Sequence, residues 1–185
     1  MKLVLALMIW MAQEKSYTEV SIKVAVRPDA SPEELAELKG RFERAAKYWW
    51  TCTEGQMAFT KIVLVDRESD GDVIVTNLDS TLCREGVYGE TRGTKVYLGG
   101  RFPLVTFCHE MGHRWFGLPD EYREPKCGHC VMEPWKGVFA FCGDGNHTGR
   151  GEDCWSRIRK KYPKWKHPNP GYGECPPVRV TVENR

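Results

Sequence analysis

No stretch of the chain reaches the ~18–20 consecutive apolar residues that a membrane-crossing helix requires, so no membrane span is expected. An excess of one charge sign is also missing: 27 Lys and Arg against 25 Asp and Glu leave a formal charge of +2. That balance excludes a surface built as a whole to grip nucleic acid, and no nucleic-acid partner is expected. Internal repetition is lacking, which excludes solenoids and propellers. Nor is the chain short of apolar side chains. At 41% hydrophobic it is too apolar for disorder. What remains is one domain of 185 residues, long enough to bury a sizeable core.

Cysteine is abundant instead. Eight stand at 52, 83, 108, 127, 130, 142, 154 and 175, and five of these fall beyond residue 120. An even, dense set points to disulfides in an oxidising compartment. The N-terminus carries a second hint of the same kind. Lys2 precedes ten apolar residues, 3–12, and a polar run then begins at Gln13. This reads as a secretory signal over 1–12, with a first buried strand as the alternative. A secreted, extracellular protein is therefore expected.

Periodicity sets the organisation. Val20, Ile22, Val24 and Val26 alternate with polar neighbours over 19–27, which predicts a half-buried strand. Ser31-Pro32-Glu33-Glu34 combines an N-cap Ser, a Pro at the first helical position and a capping-box Glu. The apolar face Leu35, Leu38, Phe42, Ala45, Ala46 and Trp49 then extends a helix to about residue 50. Strands are predicted at 57–65, 72–76, 86–92 and 95–98, and helices at 103–116 and 153–161. The Pro- and Gly-rich tail from Pro163 reads as a wrapped, extended segment. The expected architecture is α+β: a twisted mixed sheet with one backing helix. Residues 13–117 form a sheet-and-helix subdomain and 118–185 a Cys-rich irregular one, within a single domain.

The chemistry concentrates in the stretch His109-Glu110-Met111-Gly112-His113-Arg114-Trp115-Phe116-Gly117-Leu118-Pro119-Asp120-Glu121-Tyr122. His109 and His113 are four apart, so a helix puts them on one face, one turn from each other. Two imidazoles so placed can both bind one Zn²⁺ at ~2.0–2.1 Å. Glu110 follows the first His and is placed to act on a water at the metal; this is the HExxH pattern. Gly117 can take a positive φ, end the helix and reverse the chain. A carboxylate then arrives at Asp120 to serve as third ligand, with the adjacent Glu121 as the competitor. Two neutral His and one Asp leave a residual positive charge and an open fourth position for the reacting water. Tyr122 would brace the ligand turn as a buried structural residue or line the cleft.

His-Glu-x-x-His-x-x-x-Gly-x-x-Asp-Glu-Tyr resembles the metal motif of two groups of metzincin-like zinc peptidases. These are the metalloprotease domain of calcium-activated chloride channel regulators and the bacterial IgA-peptidase-type proteases. Most metzincins have two residues between the second His and the Gly; this chain has three, as those groups do. Cys130-Val131-Met132 resembles the Met-turn, and the resemblance implies that Met132 forms an apolar floor beneath the ligands. The segment Leu82 to Tyr88, and the Cys-framed stretch running through Cys142, His147 and Cys154, are similar to the channel-regulator domain. The likeness is specific over 109–122 and loose across the rest of 20–162. It implies a metzincin-like fold, a zinc cofactor, Glu110 as general base, and a peptide or protein substrate lying extended along an edge strand at 86–92.

Other signals are read beside these. Cys127-Gly128-His129-Cys130 spells a dithiol motif, but redox chemistry needs it at a helix start in a thioredoxin-like fold. Cys127, Cys130, Cys142 and Cys154 would form disulfides, or a second, structural zinc site. Cys108 is read as a small buried thiol or a disulfide partner. Trp155 to Lys166 is basic, aromatic and free of acids, and reads as a solvated helix face or an anion contact. Of the remaining histidines, His147 is the one expected near a functional centre. The leading expectation is a secreted zinc endopeptidase. The alternative from another class is a non-catalytic, zinc-stabilised and disulfide-tied recognition or adhesion module. Oligomeric state is left open by the sequence.

Overall fold

The structure is a computed structural model, and it describes residues 17–134 and 137–184. The expected signal at 1–12 lies outside the described residues. The order of elements is β1 (Thr18–Val26), α1 (Pro32–Cys52), β2 (Met57–Asp66), β3 (Val73–Val75), β4 (Gly89–Arg92), β5 (Lys95–Leu98), α2 (Leu104–Phe116), α3 (Cys154–Lys161) and β6 (Arg179–Glu183). The molecule is a mixed α+β fold around a six-stranded sheet in the order β4-β5-β3-β1-β2-β6. All neighbours are parallel except β4, which runs antiparallel to β5 at the sheet edge.

Local chemistry accounts for the principal elements. Ser31 caps α1: its hydroxyl accepts from the Glu34 amide at 3.2 Å, and the Glu34 carboxylate reaches back to the Ser31 amide at 2.8 Å. The apolar stripe of α1 is buried, from Leu35 through Phe42 to Trp49. It packs on β2 and β6, whereas α2 packs on β4 and β5, and the two helices touch each other. Phe42 lies between Phe102 and Phe107, at 5.1 and 5.9 Å between ring centroids, and Trp49 stacks on Phe116 at 5.5 Å. These aromatic contacts lock α2 against the backing helix, so the face of α2 carrying the histidines is held by a rigid core. No helix among the described residues is long and apolar enough to cross a membrane.

One expectation needs correction and one gains detail. The tail ends in β6, an extended strand that the sequence did not single out, which lies parallel beside β2 through Val180 and its neighbours. The strand expected over 86–92 begins only at Gly89, because residues 84–87 close a tight turn in which the Val87 amide bonds to the Arg84 carbonyl at 3.0 Å. The basic stretch divides by burial. Trp155 is buried, Tyr162 and Trp165 pack on Phe116, and Lys161 donates to the Trp115 carbonyl at the end of α2 at 2.6 Å. That contact places a cation at the negative end of the helix dipole.

Candidate metal centre

Helix α2 ends at Gly117, which takes φ 66° in the left-handed region. Its amide bonds to the His113 carbonyl at 2.9 Å, and the Leu118 amide reaches the Gly112 carbonyl at 3.4 Å. This cap turns the chain back across the open face of the helix. Asp120 is thereby brought to the two rings: its Oδ1 lies 3.4 Å from His109 Nε2 and 3.2 Å from His113 Nε2. The two Nε2 atoms are 3.0 Å apart, with the rings at 89° to each other.

The protonation of the rings is set by their other nitrogens. His109 Nδ1 faces the Val131 carbonyl at 3.2 Å, and His113 Nδ1 faces the Leu118 carbonyl at 2.6 Å. A carbonyl only accepts, so each Nδ1 carries the proton and each neutral ring presents a lone pair at Nε2. Two lone pairs and a carboxylate oxygen therefore converge on one point. That arrangement repels itself unless a cation sits within it, and the three residues form a set able to hold a metal ion. The outer carbonyls fix ring orientation as partners of metal-bound histidines do. Burial raises the Asp120 pKa, but His109 and His113 rings that carry a second proton, at Nε2, donate to it, and with the Tyr122 hydroxyl they outweigh burial and hold the carboxyl well below the usual carboxylate range; a metal ion would take the place of those protons. For His113, burial opposes the charge, while Asp120 and the Leu118 carbonyl prevail and raise its pKa.

Glu121, the sequence-level competitor, points elsewhere. Its side chain is buried, with Oε2 4.0 Å from His147 Nδ1. Its amide bonds to the Met132 carbonyl and its carbonyl accepts from the Cys127 amide, at 3.0 and 2.9 Å. These two bonds fix the turn so that 120 and 121 face opposite ways. His147 belongs to the same buried surroundings as Glu121 and Cys142, away from the histidine pair. Tyr122 is 37% exposed, so it is a cleft-lining residue; its hydroxyl bonds to Asp120 and its ring lies 6.3 Å from that of His109. Met132 is fully buried against α2. A Cβ at Gly112 would lie 2.6 Å from its sulfur, so the thioether rests directly on the helix backbone below the ligands.

Glu110 is 4% exposed on the wall of an open cleft of about 450 Å³ that also contains His109, His113 and Asp120. Burial pushes its pKa above the ordinary carboxylate value, against the lowering effect of Thr91 and the two rings. Thr91 on β4 donates to Oε2 at 2.6 Å. Gly89, also on β4, passes so close that a Cβ there would lie 2.9 Å from Oε1 and 2.6 Å from Thr106 Cγ2. A smaller depression of about 230 Å³, lined by Val87, Tyr88 and Pro134, continues the cleft past Gly89 and Tyr122. The cleft therefore runs along the sheet edge. Gly89→Ala is expected to force β4 away from α2 and cost about 1–3 kcal/mol of stability, read as a lower urea midpoint with an unchanged slope. An unchanged midpoint would mean that the two elements are not in tight contact.

Thr91 and Gly89 escaped the sequence reading, because nothing local in β4 announces which helix it crosses. The cysteines are equally unannounced as neighbours. All eight carry free thiols, and seven are buried. Cys108 lies beside Cys52, with which it exchanges a hydrogen bond between α2 and α1. Cys130, Cys142 and Cys154 form one close group, and Cys127, Cys142 and His147 another. The Cys127–Cys130 motif stands in a turn and not at a helix start. Comparison of the chain with protein-family models, curated proteins and solved structures finds no match.

Proposed function

We propose that the protein is a metzincin-like zinc endopeptidase that hydrolyses peptide bonds in the cleft beside β4. The observation carrying this reading is the convergence of His109 Nε2, His113 Nε2 and Asp120 Oδ1 within 3.4 Å of one another, with the Glu110 carboxylate buried in the wall of the same cleft. Two neutral imidazoles and one carboxylate suit Zn²⁺ in type and number, and leave it a free position. When bound there, Zn²⁺ supplies Lewis acidity, making water acidic and polarising a carbonyl.

The residues of the chain do the rest. The antiparallel edge strand β4 offers unpaired backbone groups, on which an extended peptide can lie by strand addition. Thr91 holds Oε2 of Glu110, and Gly89 has no side chain to cover Oε1. Glu110 then takes the proton of the attacking water at Oε1 and returns it to the leaving amine. Tyr122 keeps Asp120 oriented by its hydroxyl.

Burying a carboxylate costs stability that one hydrogen bond from Thr91 offsets only in part, and a purely structural metal site gains nothing from Glu110. That is the point of difference from a non-catalytic recognition module. The test is digestion of an unfolded protein or peptide library by the full chain, followed by mass spectrometry. Hydrolysis is expected with zinc, its loss with a chelator, and its return when Zn²⁺ is added back. A chain that holds zinc yet cuts nothing would be the recognition module.

A further inference from the structure

We propose a second, structural zinc site in which Cys127, Cys130, Cys142 and Cys154 are the four thiolate ligands. It is separate from the histidine centre and does not depend on the protease reading. The sulfurs of Cys130, Cys142 and Cys154 lie within 4.8 Å of one another, and Cys130 and Cys154 are 3.5 Å apart. A tetrahedron of Zn–S bonds of ~2.3 Å has edges of about 3.8 Å, so this spacing suits ligands about an ion. The Cys127 sulfur lies within 4.8 Å of the same Cys142 sulfur, in a second group that includes His147. Cys142 thus has three sulfur neighbours. A disulfide needs one partner for each sulfur, whereas a shared ion needs this clustering.

The backbone is arranged for thiolates. The Met132 amide points at Cys130 Sγ at 3.4 Å and the Cys154 amide at Cys142 Sγ at 3.5 Å, while the amides of His129 and Thr148 point at Cys127. His147 Nδ1 stands 3.2 Å from Cys142 Sγ. Such donors offset the net −2 charge of a tetrathiolate zinc. The spacing C-x₂-C-x₁₁-C-x₁₁-C starts with a short knuckle and gathers its remaining ligands from distant turns. All four residues are fully buried.

The site has structural work to do. Residues 118–153 contain no helix or strand of four or more residues among those described, yet they carry Asp120, Tyr122 and Met132. A metal cross-link from Cys127 to the start of α3 at Cys154 would hold this irregular segment against α2.

The test uses the full-length chain carrying His109→Ala and His113→Ala, which removes the first site. Stripped of metal, reduced and titrated with Co²⁺, it is expected to bind one ion per chain. Intense sulfur-to-cobalt absorption in the near ultraviolet should appear, and Zn²⁺ should abolish it. Cys142→Ser in that background should lose the band and the ion. Should that variant fail to fold, the parent chain still decides the matter. As isolated, Cys127, Cys130, Cys142 and Cys154 should resist alkylation until a chelator is added, and then all four should react. Peptides linked Cys127–Cys142 and Cys130–Cys154, or Co²⁺ binding without the sulfur band, would overturn the proposal.

Discussion

Glu110→Gln is expected to lower peptide hydrolysis by about 10²- to 10⁴-fold, the usual worth of a positioned general base, while zinc content stays at the parental level. The substitution is nearly isosteric. The carbonyl oxygen of the new amide could still accept from Thr91, which donates to Oε2 at 2.6 Å in the parent, so the geometry of the cleft wall should persist. What disappears is a group able to take a proton from water and release it to an amine. The cost therefore falls on kcat, with KM little changed. The decisive comparison is kcat for parent and variant at equal zinc occupancy. Full turnover in the zinc-loaded variant would remove Glu110 from the chemistry.

Asp120→Ala is expected to weaken zinc binding by more than about 100-fold. Outer partners of metal ligands are commonly worth about 10- to 100-fold in affinity, and a ligand exceeds its outer partners. With Asp120 removed, two lone pairs remain 3.0 Å apart, and Glu110 and Tyr122 of the same cleft are held by other roles. Glu121 cannot step in without breaking two backbone hydrogen bonds, to Met132 and from Cys127. Glu121→Gln should accordingly leave zinc affinity unchanged. Competition against a chromophoric chelator measures both variants. Parental affinity in Asp120→Ala, or a loss in Glu121→Gln, would move the third ligand.

These expectations were unevenly readable in the chain. His109, Glu110 and His113 are legible because a helix turns sequence spacing directly into a shared face. Gly117 is legible because a reversal after a helix wants positive φ, which it has at 66°. The choice between Asp120 and Glu121 is different. Adjacent carboxylates in an irregular segment differ only in which way the backbone is pinned, and the pins lie at residues 127 and 132. Thr91 and Gly89 meet Glu110 only after β4 crosses α2, a tertiary fact with no local signature. The short β6 hides behind Pro176 and Pro177, and its parallel partner β2 lies more than a hundred residues earlier in the chain. α1 was plain from its capping box and apolar stripe, since both are properties of a single turn-by-turn pattern.

Crystals of the zinc-loaded chain, measured on both sides of the zinc absorption edge, test the histidine centre itself. An anomalous peak is expected, enclosed by His109 Nε2, His113 Nε2 and an Asp120 carboxylate oxygen, with Glu110 beside it and not bound to it. A zinc-loaded crystal with no peak between the two rings, or with Asp120 turned away from the ion, would contradict that centre.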